Sequence, residues 1–308
     1  VIPAPPPEAI HLSFEPGPYR MAMGLIALPE TEMIELDDRY ADEMAQRRVL
    51  LTEQHHEVFH AVAGSEAARQ AVLDRLAEYL PERFPAWVAR EDSRLHNRLT
   101  GETWDLAALT ADPLVVAAQL VQEDLCIVEP DADGAVLLTA GVVCFPSRWR
   151  LAEKIGRPLP DVHERVPFYG DKLARPVDRF MAMIKPGKLA MRLNWSMMDD
   201  PALFQLGGKF RDGTNAAITQ DNAGDRLFVR VERQTLSRLP YSAAVLFTIR
   251  VHVYPLGRIV AQADIAARLA DAVRALPPET SYYKSLPTFQ AALLGYLDRR
   301  AAGSVATV

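Results

Sequence analysis

The chain has 308 residues, with 34 basic against 40 acidic side chains for a net charge of −6, 49% apolar residues, 23 prolines and two cysteines. That balance excludes a disordered, collagen-like or disulfide-stapled chain and allows one large core or two modest ones. An acidic surface offers no basic face to displace condensed counterions, so nucleic acid is not an expected partner.

In chain order, residues 1–18 hold six prolines and little periodicity, which reads as an extended arm ahead of a single domain over 19–303. The arm lacks the basic and long apolar regions of a secretion signal. Apolar spacings of three and four predict helices over 39–51 and 66–80, the second closed by Pro81 and Pro85. A third helix, 113–121, opens after Asp112 as N-cap with proline in its first turn. From Leu125 the pattern turns to β-rich runs at 125–129, 135–145, 188–196, 227–234 and 243–254. Pro130-Asp131-Ala132-Asp133-Gly134 between the first two predicts a hairpin. Helix-like stretches at 149–155 and 172–184 flank a proline-rich loop containing His163, and the tail returns to helix at 259–276 and 289–300. The expected architecture is α+β, one antiparallel sheet of about five strands with helices over one face and helical layers toward both chain ends. The longest apolar stretch, 135–145, is about half of what a bilayer needs, so no membrane span is expected. Cys126 and Cys144 each sit in an apolar run, as buried reduced thiols do, which suits a cytoplasmic protein.

Period-two bookkeeping divides the last three strands into an apolar side and a polar side. The polar side collects Arg192 and Asn194, then Arg230, Glu232 and Gln234, then Thr248, Arg250 and His252. It is either wet, as antiparallel sheets allow, or a covered polar pocket. Its wealth of arginine suits the second, because planar guanidinium groups grip carboxylates with two hydrogen bonds.

Among catalytic motifs, His56-Glu57-Val58-Phe59-His60 matches H-E-x-x-H, in which two histidines one helical turn apart share zinc and the glutamate acts as base. A third ligand is needed, and the metzincin extension fails because Ala63 and Glu66 stand at its glycine and histidine positions. An exposed helix end is the plainer reading. No phosphate-cradling glycine loop and no G-x-S-x-G elbow occur, which argues against a Rossmann cofactor and the commonest serine hydrolase.

The second half also carries dense, oddly composed strings: Gly141-Val142-Val143-Cys144-Phe145-Pro146-Ser147-Arg148-Trp149, Lys154-Ile155-Gly156-Arg157-Pro158, Val162-His163-Glu164-Arg165-Val166-Pro167, Arg192-Leu193-Asn194-Trp195-Ser196, and 230–240. In this order and spacing they resemble the haem-binding subunit of the haem-dependent oxidative N-demethylases. The likeness runs from near Met23-Gly24-Leu25 through Gln122-Glu123-Asp124-Leu125 to the tail helices. It implies a PAS-like domain enclosing haem b. It also implies an enzyme that uses O2 and supplied electrons to convert a secondary methylamine, such as dimethylamine, to a primary amine and formaldehyde. A separate flavin and iron–sulfur reductase subunit is the implied electron donor.

Within that reading each candidate has a chemical reason. His163 is the first choice as imidazole ligand to iron, His252 the second, and Cys144 the third, its apolar context opposing a thiolate. Arg192, Arg230 and Arg250 are candidates for the propionates; the alternative is ion pairs of small worth. Glu232 can accept an alkylammonium and its proton, or else pair with Arg230 or Arg250. Asn194 and Thr235 can hydrogen-bond bound oxygen. Two rival functions stand beside this one: a haem-binding PAS-type sensor or carrier without turnover, and a zinc hydrolase built on His56, Glu57 and His60.

Overall fold

Alternating apolar residues in the second half of the chain build the centre of the molecule. The computed structural model describes residues 2–303. Its strands are β1 Ile26–Leu28, β2 Phe59–Ala61, β3 Val88–Glu91, β4 Arg94–Asn97, β5 Thr103–Asp105, β6 Asp124–Pro130, β7 Val136–Val142, β8 Leu189–Met198, β9 Phe228–Arg238 and β10 Val245–Pro255. A seven-stranded sheet runs β1-β8-β9-β10-β6-β7-β2, and β3-β4-β5 form a separate small sheet. All pairings are antiparallel. The fold is therefore mixed α+β, and the five expected strands lie side by side at its centre. The extra edge strands have three residues each, too short to leave a period-two signature. The β6–β7 hairpin closes as expected, with Asp131 N–H donating to the Ala135 carbonyl at 2.8 Å and Gly134 at φ +85°, a conformation glycine adopts without a Cβ penalty.

Helices form at Tyr40–Glu53, Glu66–Arg83, Pro113–Ala118, Ala174–Met183, Ala263–Arg274 and Gln290–Ala302. Asp112 caps the third, its carboxylate accepting from Leu114 N–H at 2.9 Å. Pro81 does not end the second helix: it removes one N–H donor, yet Phe84 N–H still reaches the Leu80 carbonyl at 2.8 Å. The stretch expected to be helical at 149–155 is a single 3-10 turn, Leu151–Glu153. The one expected at 259–276 breaks into Leu256–Ile259 and Ala263–Arg274.

Both faces of the sheet are covered, which corrects the one-sided arrangement read from the sequence. On one face the N-terminal layer, including Met33, Tyr40, Met44 and Leu76, packs on Leu125, Ile127, Val142 and Leu246. The C-terminal helices bring Leu269, Val273, Leu293 and Leu297 against Val229, Val231 and Tyr254. On the other face Leu151, Leu159, Val162, Met181 and Ile184 cover Cys126, Val128, Leu138, Leu236 and Val245. The N-terminal arm lies on the body: Asp38 N–H donates to the Pro6 carbonyl at 2.8 Å, the Tyr254 hydroxyl to Ala9 at 2.6 Å, and Phe14 is buried.

The β9–β10 register overturns part of the face assignment. Thr235 pairs with Thr248, Arg233 with Arg250, Val231 with His252, and Glu232 with Val251. Directly paired residues share a face, so Thr248, Arg250 and His252 lie on the side opposite Arg230, Glu232 and Gln234. Conversely, Phe247 and Ile249 share the side of Glu232 and Gln234.

Candidate functional site

A cavity of about 840 Å³ opens on the sheet face that carries Arg192, Asn194, Glu232 and Gln234, toward the upper end for small-molecule and cofactor pockets. Its floor is the β8–β9–β10–β6 surface. Its walls come from three distant segments: residues 13–24 of the arm, the loop and helices from Ser147 to Leu173, and Ala272 to Lys284. Cys126, Val128, Leu138, Phe247 and Ile249 make the sheet side apolar, while six cationic side chains (Arg20, Arg148, Lys154, Arg192, Lys209, Lys284) against two carboxylates (Glu15, Glu232) make the lining electropositive. Such a cavity suits a large, partly apolar ligand bearing negative charge.

His163 lies in that wall just after the helical turn Leu159–Val162. Its Nδ1 is 2.8 Å from the Leu159 carbonyl, which fixes the proton on Nδ1 and leaves the Nε2 lone pair without a protein partner among the described residues. The ring stacks on Tyr169, centroids 4.3 Å apart and 10° from parallel. Burial pushes the imidazole down to about 4, so it is neutral at pH 7, the form that ligates a metal. A backbone carbonyl on the far nitrogen is the usual outer partner of such a ligand.

Opposite in character is the end of the cavity around Glu232. Its Oε2 accepts from Asn194 Nδ2 at 3.3 Å and from Gln234 Nε2 at 2.9 Å. Lys209 donates to the Tyr283 hydroxyl at 2.7 Å and lies over that ring; Lys284 donates to the Trp195 carbonyl at 2.6 Å. Burial lowers the two amines to about 7 and about 8, opposed by the charge of Glu232. Burial also raises the Tyr283 phenol to about 12, so this hydroxyl keeps its proton. One carboxylate thus stands among groups that exchange protons near neutrality.

Two guanidinium groups in the lining are under-satisfied. Arg192 Nε and Arg148 Nη1 are buried without hydrogen-bond partners among the described residues, a state that costs about 1–3 kcal/mol or more for a charged group unless an acceptor arrives. Arg148 is otherwise held by Asp199 at 2.5 Å and Gln205 at 3.0 Å. It has a left-handed backbone, φ +60°, an uncommon conformation for a residue with a side chain. Two buried donor groups seeking anions match a ligand with two carboxylates.

The structure thus brings His163, Arg192, Asn194 and Glu232 to one cavity. It does not bring the other expected residues there. Arg230 is buried and spends its terminal nitrogens on the carbonyls of Phe145, Ala202 and Leu203. Arg250 lies on the opposite face between Asp37 and Glu43, at 2.6 and 2.7 Å. His252 is on that face too, bonded to Glu8 and Glu35. Thr235 is locked to Thr248 at 2.6 Å between their hydroxyls. Cys144 is buried outside the cavity lining with its thiol pushed up to about 12, unfit as a thiolate. The zinc-like string is broken: its helix spans only His55–Val58 and His60 belongs to β2, so the histidines are not one helical turn apart. Glu57 pairs with Arg150 instead.

Arg148, Lys209, Tyr283 and Lys284 were not anticipated as site residues. Arg148 stands inside a quoted string, but nothing local distinguishes its role; the lysines join the cavity only through the packing of distant loops. No helix among the described residues is long and apolar enough to cross a membrane. A family model described as haem-dependent oxidative N-demethylase, alpha subunit-like, matches residues 24–294.

Proposed function

This chain belongs to the haem-dependent oxidative N-demethylase, alpha subunit-like family, and from that premise we propose that its cavity holds haem b and that it demethylates a small secondary methylamine. The stoichiometry is one amine, O2, two electrons and two protons to a primary amine, formaldehyde and water. Haem supplies the redox centre for O2 chemistry at the N-methyl carbon; the protein supplies ligation, orientation and proton handling. The observation that carries the reading is the free Nε2 of His163, a neutral imidazole of fixed tautomer at the wall of an electropositive cavity. Arg192 and Arg148, each with an unpartnered buried nitrogen, would take the two propionates. The five central strands, in spatial order second, first, fifth, fourth, third along the chain, are what we read as the PAS-like sheet.

Glu232 is the substrate carboxylate in this proposal. Asn194 and Gln234 fix its Oε2, which points the carboxylate at an amine N–H. The nearby cations Arg192 and Lys284 oppose a bound alkylammonium, so the amine gives up a proton on binding, with Glu232 as first acceptor. Lys209, poised near pH 7, and the Tyr283 hydroxyl bonded to it carry that proton onward. Electrons come from a separate flavin and iron–sulfur subunit, in keeping with an alpha-subunit-like chain.

The test uses the purified chain. A Soret band, present on isolation or formed stoichiometrically with hemin, is expected, as is formaldehyde release from dimethylamine that requires both O2 and reductant. A Soret band without formaldehyde from any N-methylamine tried would turn the reading to a sensor or carrier. No haem binding at all would end it.

A further inference from the structure

On the face of the sheet remote from the cavity, four residues from three parts of the chain converge. His11 Nε2 and His252 Nε2 each lie 3.2 Å from the same oxygen, Glu35 Oε2. The three potential ligand atoms all fall within 4.8 Å of one another. Ligand atoms at about 2.0–2.1 Å from a tetrahedral zinc lie ~3.3 Å apart, close to the spacing from Glu35 Oε2 to each of the two imidazoles. His252 Nδ1 is 3.0 Å from Glu8 Oε1, the carboxylate–histidine arrangement that orients metal-bound imidazoles. The second oxygen of Glu35 is held by Arg233 Nε at 3.1 Å.

We propose that His11, Glu35 and His252 bind one divalent first-row transition-metal ion such as Zn²⁺, with Glu8 as orienting partner, and that the ion fastens the N-terminal arm to β10. Two imidazoles and one carboxylate select this class over Mg²⁺ or Ca²⁺, which prefer oxygen shells. His11 and Glu35 are partly exposed, at 19% and 25%, so a water can complete the coordination and the ion has a path in.

The surroundings suit a cation: the carboxyl groups of Glu8, Glu35, Asp37, Glu43 and Glu123 outnumber the guanidinium groups of Arg233, Arg250 and Arg258 that face them. The Oε1 of Glu123 accepts Glu35 N–H at 2.9 Å, and its Oε2 is buried with no partner among the described residues.

The test is calorimetric titration of the full chain, stripped of metal with a chelator, with Zn²⁺ alone at pH 7.5. One equivalent should bind. His11→Ala, which alters the arm and not the sheet, should weaken binding at least 10-fold, and Glu8→Gln 10- to 100-fold, the range for an outer-shell partner. His56→Ala should leave it unchanged. Zn²⁺ should also slow proteolytic cutting of the arm ahead of residue 24 in the wild type and not in His11→Ala. Absence of a one-equivalent site in the wild type overturns the proposal, leaving Glu8, Glu35 and the histidines as ion pairs only. Binding that survives His11→Ala and Glu8→Gln but is lost in His56→Ala overturns it equally, by placing the ion elsewhere.

Discussion

The Nδ1 of His163 lies 2.8 Å from the carbonyl oxygen of Leu159, four residues back, and this one contact decides which nitrogen keeps a free lone pair. Replacing His163 by alanine removes the free Nε2. Haem affinity should fall by on the order of 100-fold, the upper end of what losing even an outer partner costs a metal site. Hemin titration followed at the Soret band checks this, and an unchanged spectrum and affinity would remove His163 as ligand.

Glu232→Gln keeps the side-chain shape but cannot accept a proton. Haem content should stay as in the wild type, while kcat/KM for the amine falls about 10²- to 10⁴-fold, the usual worth of a positioned acid–base group. Steady-state formaldehyde assays on haem-loaded protein read the effect; wild-type kinetics would take Glu232 out of the reaction.

Lys209 gives a pH signature. Burial lowers its amine from an ordinary 10.5 to about 7, so between those values the unfolded chain binds the extra proton and stability rises with pH. The cost of burying the charged amine is fully present below pH 7 and is relieved as pH climbs toward 10.5. Without added haem, Lys209→Met should therefore melt a few degrees above the wild type at pH 6, and that advantage should shrink steadily toward pH 10. An advantage that grew with pH would contradict the assignment.

Arg250 separates the two faces of the sheet. Its guanidinium is buried between Asp37 and Glu43, and removing one member of such a set leaves uncompensated buried charge. Arg250→Ala should cost about 3–5 kcal/mol, read from urea unfolding, with the Soret band of the folded protein unaltered. Loss of haem at unchanged stability would instead return Arg250 to the cofactor.

The sequence pattern located the five central strands to within four residues at each end, and the three helices first read from apolar spacing and capping extend over nearly the expected spans, because long alternating or helical repeats carry that information locally. The register of β10 against β9 was not legible. Alternation divides each strand into two sides but does not say which side of one strand matches which side of the next. With polar residues on one side of every strand, the natural step was to join Arg250 and His252 to Arg230 and Glu232. In the protein the acidic residues that satisfy Arg250 and His252 come from Glu8, Glu35, Asp37 and Glu43, more than 200 positions away. They make burial of those side chains affordable on what the pattern marks as the core side. The lysines at the Glu232 end were hidden for a related reason: Lys209 and Lys284 reach the cavity from loops whose course no periodicity encodes. His163 stood out for lying in a proline-bracketed loop and inside a string that carries the family resemblance, and the structure sets it in the cavity wall.

Residues 13–24 form a wall of the cavity, while the segment just ahead of them is held by Tyr254 and His252 on β10. During synthesis those early residues emerge long before β10 exists to receive them. That flank of the chamber therefore cannot close until β10 has been made and paired, so the first segment of the chain to be synthesised is among the last to be fixed in place.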